Sequence, residues 1–507
     1  MSPRNDRTFA PRRGVVLFMV VAIVLMMTLL TYAFLLSMRT QSLAASQAGD
    51  QLQARQAAFS ARELMIGYME DSLQRRHSLG GMSLNDNRLQ DIRLLPQGEE
   101  LDEFVPRGAV LAGLRDFRPG VQNESGKINL TRLLEIDEQI PGWGRQCLLR
   151  LPQMTETIAD HILDWIDEDD EPREFGAESE FYLEEFGWPP RNAIPASLDD
   201  FRHVPDVTRE LLFGNSADER NESARDGEQR DQEESVPWSE FLTVYSAERN
   251  ETYEGNPRIS LNDKDLFQLH SSLTELVNIE TANFVVLARQ NGLSMSGVPG
   301  NSSTTAGESQ VRSPGEYPID FTIAPEFEFA SVLDIVGGVV KIGDESENPD
   351  NVIYVGSPFG TDAALDDLLD SFLDGTTINA SQVLRGNVNI MLAPREVLLS
   401  VPGIGDELAE QIITNRDTVR NQAKNSFWLL ENRLVNIEQM KSIADHVTVR
   451  GEVCRFVYAG WSHSSLAPVA FRTLVDASGE SAVLISNQKI TNTEFLSRNI
   501  ATLQRDR

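Results

Sequence analysis

The sequence predicts an α+β protein with a long N-terminal helix, strands at both ends of its body and mainly helical material between them. An apolar run without a charged side chain, residues 15–38, predicts the helix. A short β-type run at 109–117 and valines at mostly alternate positions between 447 and 457 predict strands, and a turn at 476–479 indicates an antiparallel meander. Similar segments with a helix, a tight turn and a second helix predict the helical middle part.

The apolar run is long enough to cross a membrane. At about 1.5 Å rise per residue, a helix over residues 15–38 is roughly 36 Å long, and the hydrocarbon core of a bilayer is about 30 Å thick. Backbone polar groups in lipid need partners within the segment, which favours a helix. The residues that follow contain no proline and keep a helical pattern to about His77. The sequence therefore predicts a transmembrane and stalk helix over residues 15–77.

The charge around this run predicts its orientation. Residues 1–14 contain four arginines and one aspartate. Short basic flanks stay on the cytoplasmic side, so we expect the bulk of the chain on the other side of the membrane. A cleaved secretory signal, cut near residues 44–46, is the alternative, but the apolar region of such a signal is normally only about 7–15 residues long.

Composition limits the possible functions. The 507 residues carry a formal net charge of −32, with a pI near 4.6, whereas nucleic-acid binding depends on clustered Lys and Arg. The sequence lacks the H-E-x-x-H, G-x-S-x-G and P-loop motifs and has six histidines, which speaks against the alternative of a membrane-anchored hydrolase. Cys147 and Cys454 could pair in an oxidising compartment, and the sequence leaves this open.

Short segments of the chain resemble one another. Residues 126–130, 258–262 and 386–390 each alternate apolar and polar residues before a helical pattern, and an asparagine at such a junction can cap the helix. Residues 148–165 resemble residues 398–415, 250 positions later. Together with a partial third copy at 201–212, these longer segments predict helical hairpins of the helix-hairpin-helix type.

One hairpin turn raises the alternative of a DNA-binding or DNA-uptake protein. Residues 402–405 read Pro-Gly-Ile-Gly, a form that binds the DNA backbone through its amides in nucleases and ligases. The residues that follow include Asp406, Glu407 and Glu410, where phosphate-binding copies carry Lys or Arg. The negative charge favours a hairpin used for packing.

The most acidic stretch lies between the hairpins. Residues 164–185 contain eleven carboxylates and one arginine, Arg173. Closely spaced Asp and Glu can supply the six to eight oxygen ligands that calcium prefers, although the spacing does not match an EF-hand. A solvated acidic loop is the alternative interpretation.

Four features together resemble the K-type minor pseudopilin of the type II (general) secretion system. They are a basic leader that ends in glycine before an apolar helix, the Ile-Asn-Leu segment at 128–130, the D-W-I-D-E-D and G-A-E-x-x-Y segments within 164–182, and the Val-Asn-Ile and Val-Pro-Gly-Ile segments within 388–404. The resemblance extends from residue 12 to about residue 475 and is interrupted by long insertions.

The resemblance implies a leader that a prepilin peptidase cuts after Gly14, so that Val15 becomes the methylated N-terminal residue. Most pilins have a glutamate at the fifth mature position, where this chain has Met19. K-type members resemble this chain in lacking that glutamate. A lone carboxylate in lipid is costly without a charged partner, and a subunit at the tip has no preceding subunit to pair with. A membrane anchor unrelated to pilins is the alternative.

The resemblance also implies a pilin-like antiparallel sheet with a large inserted helical domain. The expected parts are a leader (1–14), the transmembrane and stalk helix (15–77), the first part of the pilin-like domain (78–128), an inserted domain (129–435) with flexible insertions at about 214–235 and 292–318, C-terminal strands (436–490) and a tail (491–507).

The function implied by the resemblance is structural rather than enzymatic. The protein is expected to cap the tip of the periplasmic pseudopilus and to support protein export across the outer membrane. It would cross the inner membrane once, with its bulk in the periplasm. The implied partners are the I-type and J-type minor pseudopilins, the major pseudopilin and the prepilin peptidase, and no nucleic acid. Calcium is the implied cofactor, with Asp164, Asp167, Asp169 and Glu178 as expected ligands, and we expect no catalytic residue.

Overall fold

The computed structural model describes residues 13–81, 84, 86–93, 106–112, 118–214, 236–294, 311–343, 352–360, 367–420, 422–462 and 465–491. The helices are α1 (Arg13–Glu70), α2 (Leu73–His77), α3 (Leu130–Gln139), α4 (Trp143–Leu148), α5 (Glu156–Ile166), α6 (Ser179–Glu185), α7 (Arg209–Phe213), α8 (Leu266–Leu276), α9 (Ile279–Asn291), α10 (Asp367–Gly375), α11 (Arg395–Leu398), α12 (Asp406–Val419), α13 (Trp428–Glu431) and α14 (Ile437–Ile443).

The strands are β1 (Ile92–Arg93), β2 (Arg107–Leu111), β3 (Gln122–Asn123), β4 (Ile128–Asn129), β5 (Leu242–Thr243), β6 (Ala247–Arg249), β7 (Ile259–Ser260), β8 (Val311–Arg312), β9 (Val339–Ile342), β10 (Ile353–Gly356), β11 (Thr376–Thr377), β12 (Val383–Arg385), β13 (Val388–Asn389), β14 (Val447–Thr448), β15 (Val453–Ser462), β16 (Ser465–Asp476) and β17 (Val483–Ile490). The prediction of a mixed helix and sheet protein that begins with a long apolar helix is confirmed.

The largest sheet combines strands from the two ends of the body. Its order is β1-β2-β15-β16-β17, with β3 also paired to β15, and all these pairs are antiparallel. The C-terminal half of α1 packs on this sheet, where Ala58, Ala61 and Met65 share a hydrophobic core with Phe456 and Tyr458. The sheet therefore holds the base of the long helix.

The two halves of α1 have different surroundings. The large apolar side chains from Val16 to Met38 are exposed. From Ala54 onward, one face of the helix is buried, with Ala58 and Met65 among its residues. Within the described residues, α1 is the one helix long and apolar enough to cross a membrane. The predicted stalk over residues 15–77 is interrupted at residues 71–72, after which α2 continues to His77.

Helix α1 lies unusually close to the sheet because two glycines face it. A Cβ atom on Gly460 would lie 2.2 Å from the carbonyl oxygen of Ala54 and 2.3 Å from the amide nitrogen of Ala58. A Cβ atom on Gly108 would lie 2.8 Å from that of Ala61. The close approach of α1 thus explains why strands β2 and β15 have glycine at these two positions.

A mainly helical part is inserted between strands β3 and β15, over residues 124–452. Among its described residues are four parallel strand pairs, each with a register of two residues: β8 with β10, and three others. Those three are β4 with β5, β7 with β11, and β13 with β14. The first strands of the last three pairs belong to the three similar segments noted in the sequence. Asn129 caps α3 as predicted, whereas α8 is capped by Asp265 rather than by Asn262.

The two longer similar segments also have matching backbone structure. In both, a helix (α4 or α11) leads through a turn into a second helix (α5 or α12). Gln153 and Gly403, 250 positions apart in the turns, both have positive φ, at 59° and 89°. Arg145, three residues before the first segment, forms an ion pair with Asp160, and Arg395, 250 positions later, forms the corresponding ion pair with Glu410.

Other boundaries differ from the expected ones. Residues 436–452 contain α14 and β14, so the large sheet resumes at Val453 rather than near 436. Residues 311–312 form β8 inside the insertion expected at 292–318, while residues 215–235 and 295–310 lie outside the described residues, as do 1–12 and 492–507. Cys147 and Cys454 are free and are buried in separate cores, so they do not pair.

We predict that Gly460→Ala destabilises the full chain by about 1–3 kcal/mol, because its methyl group would overlap the backbone of α1. Thermal unfolding in detergent measures this change. Gly67→Ala is the matched control, since Gly67 lies on α1 with nothing within 4 Å of its Cβ position. The control should be neutral or stabilising by up to about 1 kcal/mol. An unchanged transition for Gly460→Ala would show that α1 does not dock on the sheet in this way.

Candidate metal centre

The acidic stretch forms a loop between α5 and α6. Helix α5 starts at the cap Thr155, whose hydroxyl accepts a hydrogen bond from the Ile158 amide at 3.2 Å. Asp164 lies in its last turn, and Asp167 follows its last residue. Glu178 directly precedes α6. The loop therefore returns Glu178 to the end of α5.

Three carboxylates converge at this point. Asp164, Asp167 and Glu178 each offer an oxygen atom, and these atoms all lie within 4.8 Å of one another. Asp164 is fully buried, Glu178 is 5% exposed and Asp167 is partly buried. In the part of the chain that the structure describes, this is the one group of three or more His, Cys, Asp or Glu residues close enough together to hold a metal ion.

The backbone of the loop passes directly over Asp164. A Cβ atom on Gly176 would lie 1.8 Å from Asp164 Oδ2, so the loop can approach this carboxylate only with glycine there. The Arg173 amide donates a hydrogen bond to the same oxygen at 3.2 Å, and the Gly176 amide donates to the Arg173 carbonyl at 3.0 Å. The loop thus has a defined conformation around the Asp164 side chain.

The guanidinium group of Arg173 partly neutralises the cluster. Its Nη1 lies 2.7 Å from Asp164 Oδ1 and also contacts Asp167, and its Nη2 lies 3.3 Å from Asp137 Oδ2 on α3. Burial acts to lower the pKa of Arg173, but the hydrogen bonds and charges of Asp164 and Asp167 outweigh it and raise that pKa. Arg173 therefore remains charged.

Glu178 lacks such compensation. Neither of its carboxylate oxygens accepts a hydrogen bond from a described residue, although both are buried. Burial, together with the charges of Asp164, Asp167 and other nearby aspartates, raises the pKa of Glu178 from 4.5 to about 8. Burial also raises the pKa values of Asp164 and Asp167, against the opposing effect of Arg173.

These observations fit a hard cation with oxygen ligands. A buried carboxylate without a donor, next to two others, is the arrangement that a calcium ion would stabilise. Asp164, Asp167 and Glu178 would hold the ion, which would supply positive charge to all three carboxylates.

Aromatic side chains pack behind the cluster. The Trp165 ring lies 5.3 Å from that of Tyr182 and 5.8 Å from that of Trp188, measured between centroids. Tyr182 is fully buried, and burial raises the pKa of its hydroxyl. The tyrosine of the G-A-E-x-x-Y segment is thus part of the hydrophobic wall behind the carboxylates.

The structure brings together three of the four expected ligands. Asp169 lies outside this group, is exposed, and accepts a hydrogen bond from the Glu171 amide at 2.8 Å. Sequence reasoning missed the role of Arg173, although it is the single basic residue of the acidic stretch. Asp137 was also missed, because it lies on α3, 27 positions before Asp164, and no motif connects the two. Gly14 and Val15 lie at the start of α1, and Met19 is exposed further along it.

Comparison with known proteins identifies the region that contains this cluster. Residues 126–213 match the family described as type II secretion system (T2SS), protein K. These residues therefore form a protein K domain. The match includes α3 to α7, with the whole loop of Asp164, Asp167 and Glu178, and it confirms the K-type minor pseudopilin of type II secretion that the sequence motifs indicated.

One solved structure with similarity is described as the crystal structure of the GspK–GspI–GspJ complex from the enterotoxigenic Escherichia coli type 2 secretion system. The similarity covers 90% of this chain and 100% of that chain, with 12% sequence identity and a TM-score of 0.27. No curated protein sequence matches this chain significantly.

We predict that Glu178→Gln stabilises the protein when metal is removed by a chelator, by about 1–3 kcal/mol, because it replaces a buried carboxylate without a donor. The raised pKa means that the native state prefers the protonated form, so wild-type stability falls as the pH rises from 4.5 to about 8. The gain should therefore be largest above pH 8 and vanish below pH 4.5, in thermal unfolding across this range.

The matched control is Glu180→Gln, which removes an exposed carboxylate two residues later, in α6. Its effect should stay within about 0.5 kcal/mol at every pH. A Glu178→Gln variant that is equally destabilised at every pH would mean that Glu178 has partners other than those described.

Proposed function

We propose that this minor pseudopilin caps the tip of the type II secretion pseudopilus and thereby supports protein export across the outer membrane. The observation that carries the proposal is the protein K domain at 126–213, joined in one chain to an exposed apolar helix that starts near the N-terminus. The proposed role is structural, without catalysis.

The exposed half of α1 supports membrane anchoring and assembly. Side chains such as Phe18 and Met27 are 75% and 64% exposed, and a helix apolar on all sides needs lipid or other apolar helices around it. The basic residues before it favour a single pass through the inner membrane with the body in the periplasm. We propose that Gly14 is the cleavage site of a prepilin peptidase, with Val15 as the methylated first residue.

The size and attachment of the inserted part support the tip position. Residues 124–452 are joined to the base of the stalk by contacts of Arg76 and Arg249, so they cannot move far from it. A subunit with this bulk beside its stalk would obstruct another subunit above it. Met19, which is apolar, fits a subunit that needs no carboxylate to pair with a preceding one.

The proposed partners follow from this position. We propose contacts with the I-type and J-type minor pseudopilins and, below them, the major pseudopilin. The solved complex described above is a complex of GspK with GspI and GspJ.

We propose that the helical pairs are helix-hairpin-helix-like repeats used for packing rather than for DNA binding. A Cβ atom on Gly403 would lie 2.9 Å from both Ile443 Cγ2 and Ser442 Oγ, so the turn is covered by α14. The two pairs also contact each other, since Trp143 Nε1 donates to the Ser400 carbonyl at 3.0 Å. Neither observation favours a phosphate backbone at this turn.

We further propose that calcium binds between Asp164, Asp167 and Glu178 and stabilises the loop between α5 and α6. The buried oxygens of Glu178 support this proposal. Asp169 lies close enough to add negative charge to the site without being one of the three convergent carboxylates.

We predict that Gly14→Leu leaves the leader uncut and prevents assembly, because the peptidase needs a small residue at the junction. N-terminal sequencing of protein from membranes, and co-purification with the I-type and J-type subunits, measure the two effects. Gly49→Leu is the control, since nothing lies within 4 Å of that Cβ position on α1. Wild-type protein that keeps its leader in cells with active peptidase would overturn the proposal, as would antibody labelling along the whole pseudopilus instead of at one end.

For calcium, we predict that Asp164→Asn weakens binding at least about tenfold, because a neutral amide replaces a carboxylate ligand. Isothermal titration of the full chain in detergent measures the affinity. Asp169→Asn, which changes an exposed carboxylate of the same loop, should alter it by less than about threefold, since charge alone acts at that distance. Equal losses for both variants would argue for a diffuse acidic loop instead of a defined site.

A further inference from the structure

We propose that Arg173 is an internal counter-cation that competes with calcium for Asp164 and Asp167 and so sets the calcium affinity of the loop. This inference rests on the calcium site proposed above. It assigns to Arg173 a role in regulating occupancy, with opposite effects on the calcium-free and calcium-bound protein.

The position of the guanidinium group is the first observation. Its Nη1 contacts carboxylate oxygens of both Asp164 and Asp167, which are two of the three groups that would hold the ion. A divalent cation bound to the same oxygens would lie within a few ångströms of this positive charge. At such distances the repulsion in a partly buried site is strong, so the two cations exclude each other.

The incomplete compensation by Arg173 is the second observation. Three carboxylates face one guanidinium group, and both oxygens of Glu178 are left without a donor among the described residues. A divalent ion can contact all three carboxylates and carries twice the charge. Arg173 therefore substitutes for the ion only in part, and the calcium-bound state is more fully compensated.

A second partner for Arg173 is already in place. Its Nη2 lies 3.3 Å from Asp137 Oδ2, and the other oxygen of Asp137 accepts a hydrogen bond from the Gly144 amide at 2.8 Å. Asp137 is thus held on α3, beside the site but outside the group of three. When an ion takes Asp164 and Asp167, the guanidinium group can keep an ionic partner by a movement of its side chain alone.

The chain offers a matched control for this role. Arg145 is a second arginine that contacts the loop between α5 and α6, and its side chain is 24% exposed, the same value as for Arg173. It pairs with Asp160 and Glu174, which are not among the three convergent carboxylates. Replacing either arginine by glutamine changes the net charge equally and removes ion pairs of the same region, but only Arg173 contacts two of the three convergent carboxylates.

The test compares Arg173→Gln with Arg145→Gln in the full chain in detergent, by calcium titration and by thermal unfolding with calcium or with a chelator. We expect Arg173→Gln to bind calcium about tenfold more tightly than wild type, because the competing charge is removed. Its unfolding temperature with chelator should fall by about 5 °C and be largely restored by calcium. Arg145→Gln should leave the calcium affinity within about threefold of wild type.

Two further variants keep the inference falsifiable if Arg173→Gln folds poorly. Arg173→Lys keeps the charge and should stay close to the wild-type affinity, whereas Asp137→Asn removes the second partner of Arg173 and should weaken calcium binding several-fold. Unchanged affinities in both Arg173→Gln and Asp137→Asn would overturn the inference, as would weaker binding in Arg173→Gln. If neither wild type nor any variant binds calcium, the proposed metal site fails instead.

Discussion

The buried carboxylate of Glu452 connects the three parts of the molecule. Its Oε1 accepts a hydrogen bond from Arg76 on α2, and its Oε2 accepts one from the Arg249 amide in β6 at 2.9 Å. The Arg249 guanidinium group in turn donates to the carbonyl oxygens at the end of α1, on Met69, Glu70 and Asp71. Burial acts to raise the pKa of Glu452, but the neighbouring arginines lower it, so the group stays charged. An unpaired charge here would be strongly destabilising, which means that stalk, insertion and sheet depend on one another.

Buried carboxylates occupy other junctions of the insertion in the same way. Glu124, just after the first strands of the sheet, contacts Lys127, Arg455 and the Thr243 hydroxyl. Glu248 accepts hydrogen bonds from Thr448 and Asn387. The threonines belong to short parallel strand pairs, and their hydroxyls also accept hydrogen bonds from backbone amides two residues later. A large insertion can therefore be joined to a small sheet without long shared strands, because polar contacts fix the ends of each helical segment.

The features that the sequence predicted well are those determined locally. The apolar run predicted α1, alternating valines predicted the C-terminal strands, and short spacing brought Asp164 and Asp167 together. The interruption of the stalk at residues 71–72 was not predictable, because α1 ends where Arg249, distant in the sequence, meets its last carbonyls. The boundary near residue 436 was wrong for a similar reason, since β14 pairs with β13 of the insertion instead of joining the large sheet. Asp169 was expected in the site but lies outside it, because the conformation of the loop decides which carboxylates converge and residue spacing does not determine that conformation.

The candidate metal centre differs from the other buried carboxylates in how its charge is compensated. Glu124 and Glu452 are each contacted by two or more basic residues from separate elements, which suits a permanent structural role. At the loop between α5 and α6, one arginine contacts two carboxylates and a third is left without a donor among the described residues. A folded chain that keeps such a deficit needs either protonation or a cation from solution. The deficit lies in one loop of the protein K domain, so its compensation can change while the buried arginine contacts that join the stalk to the body remain in place.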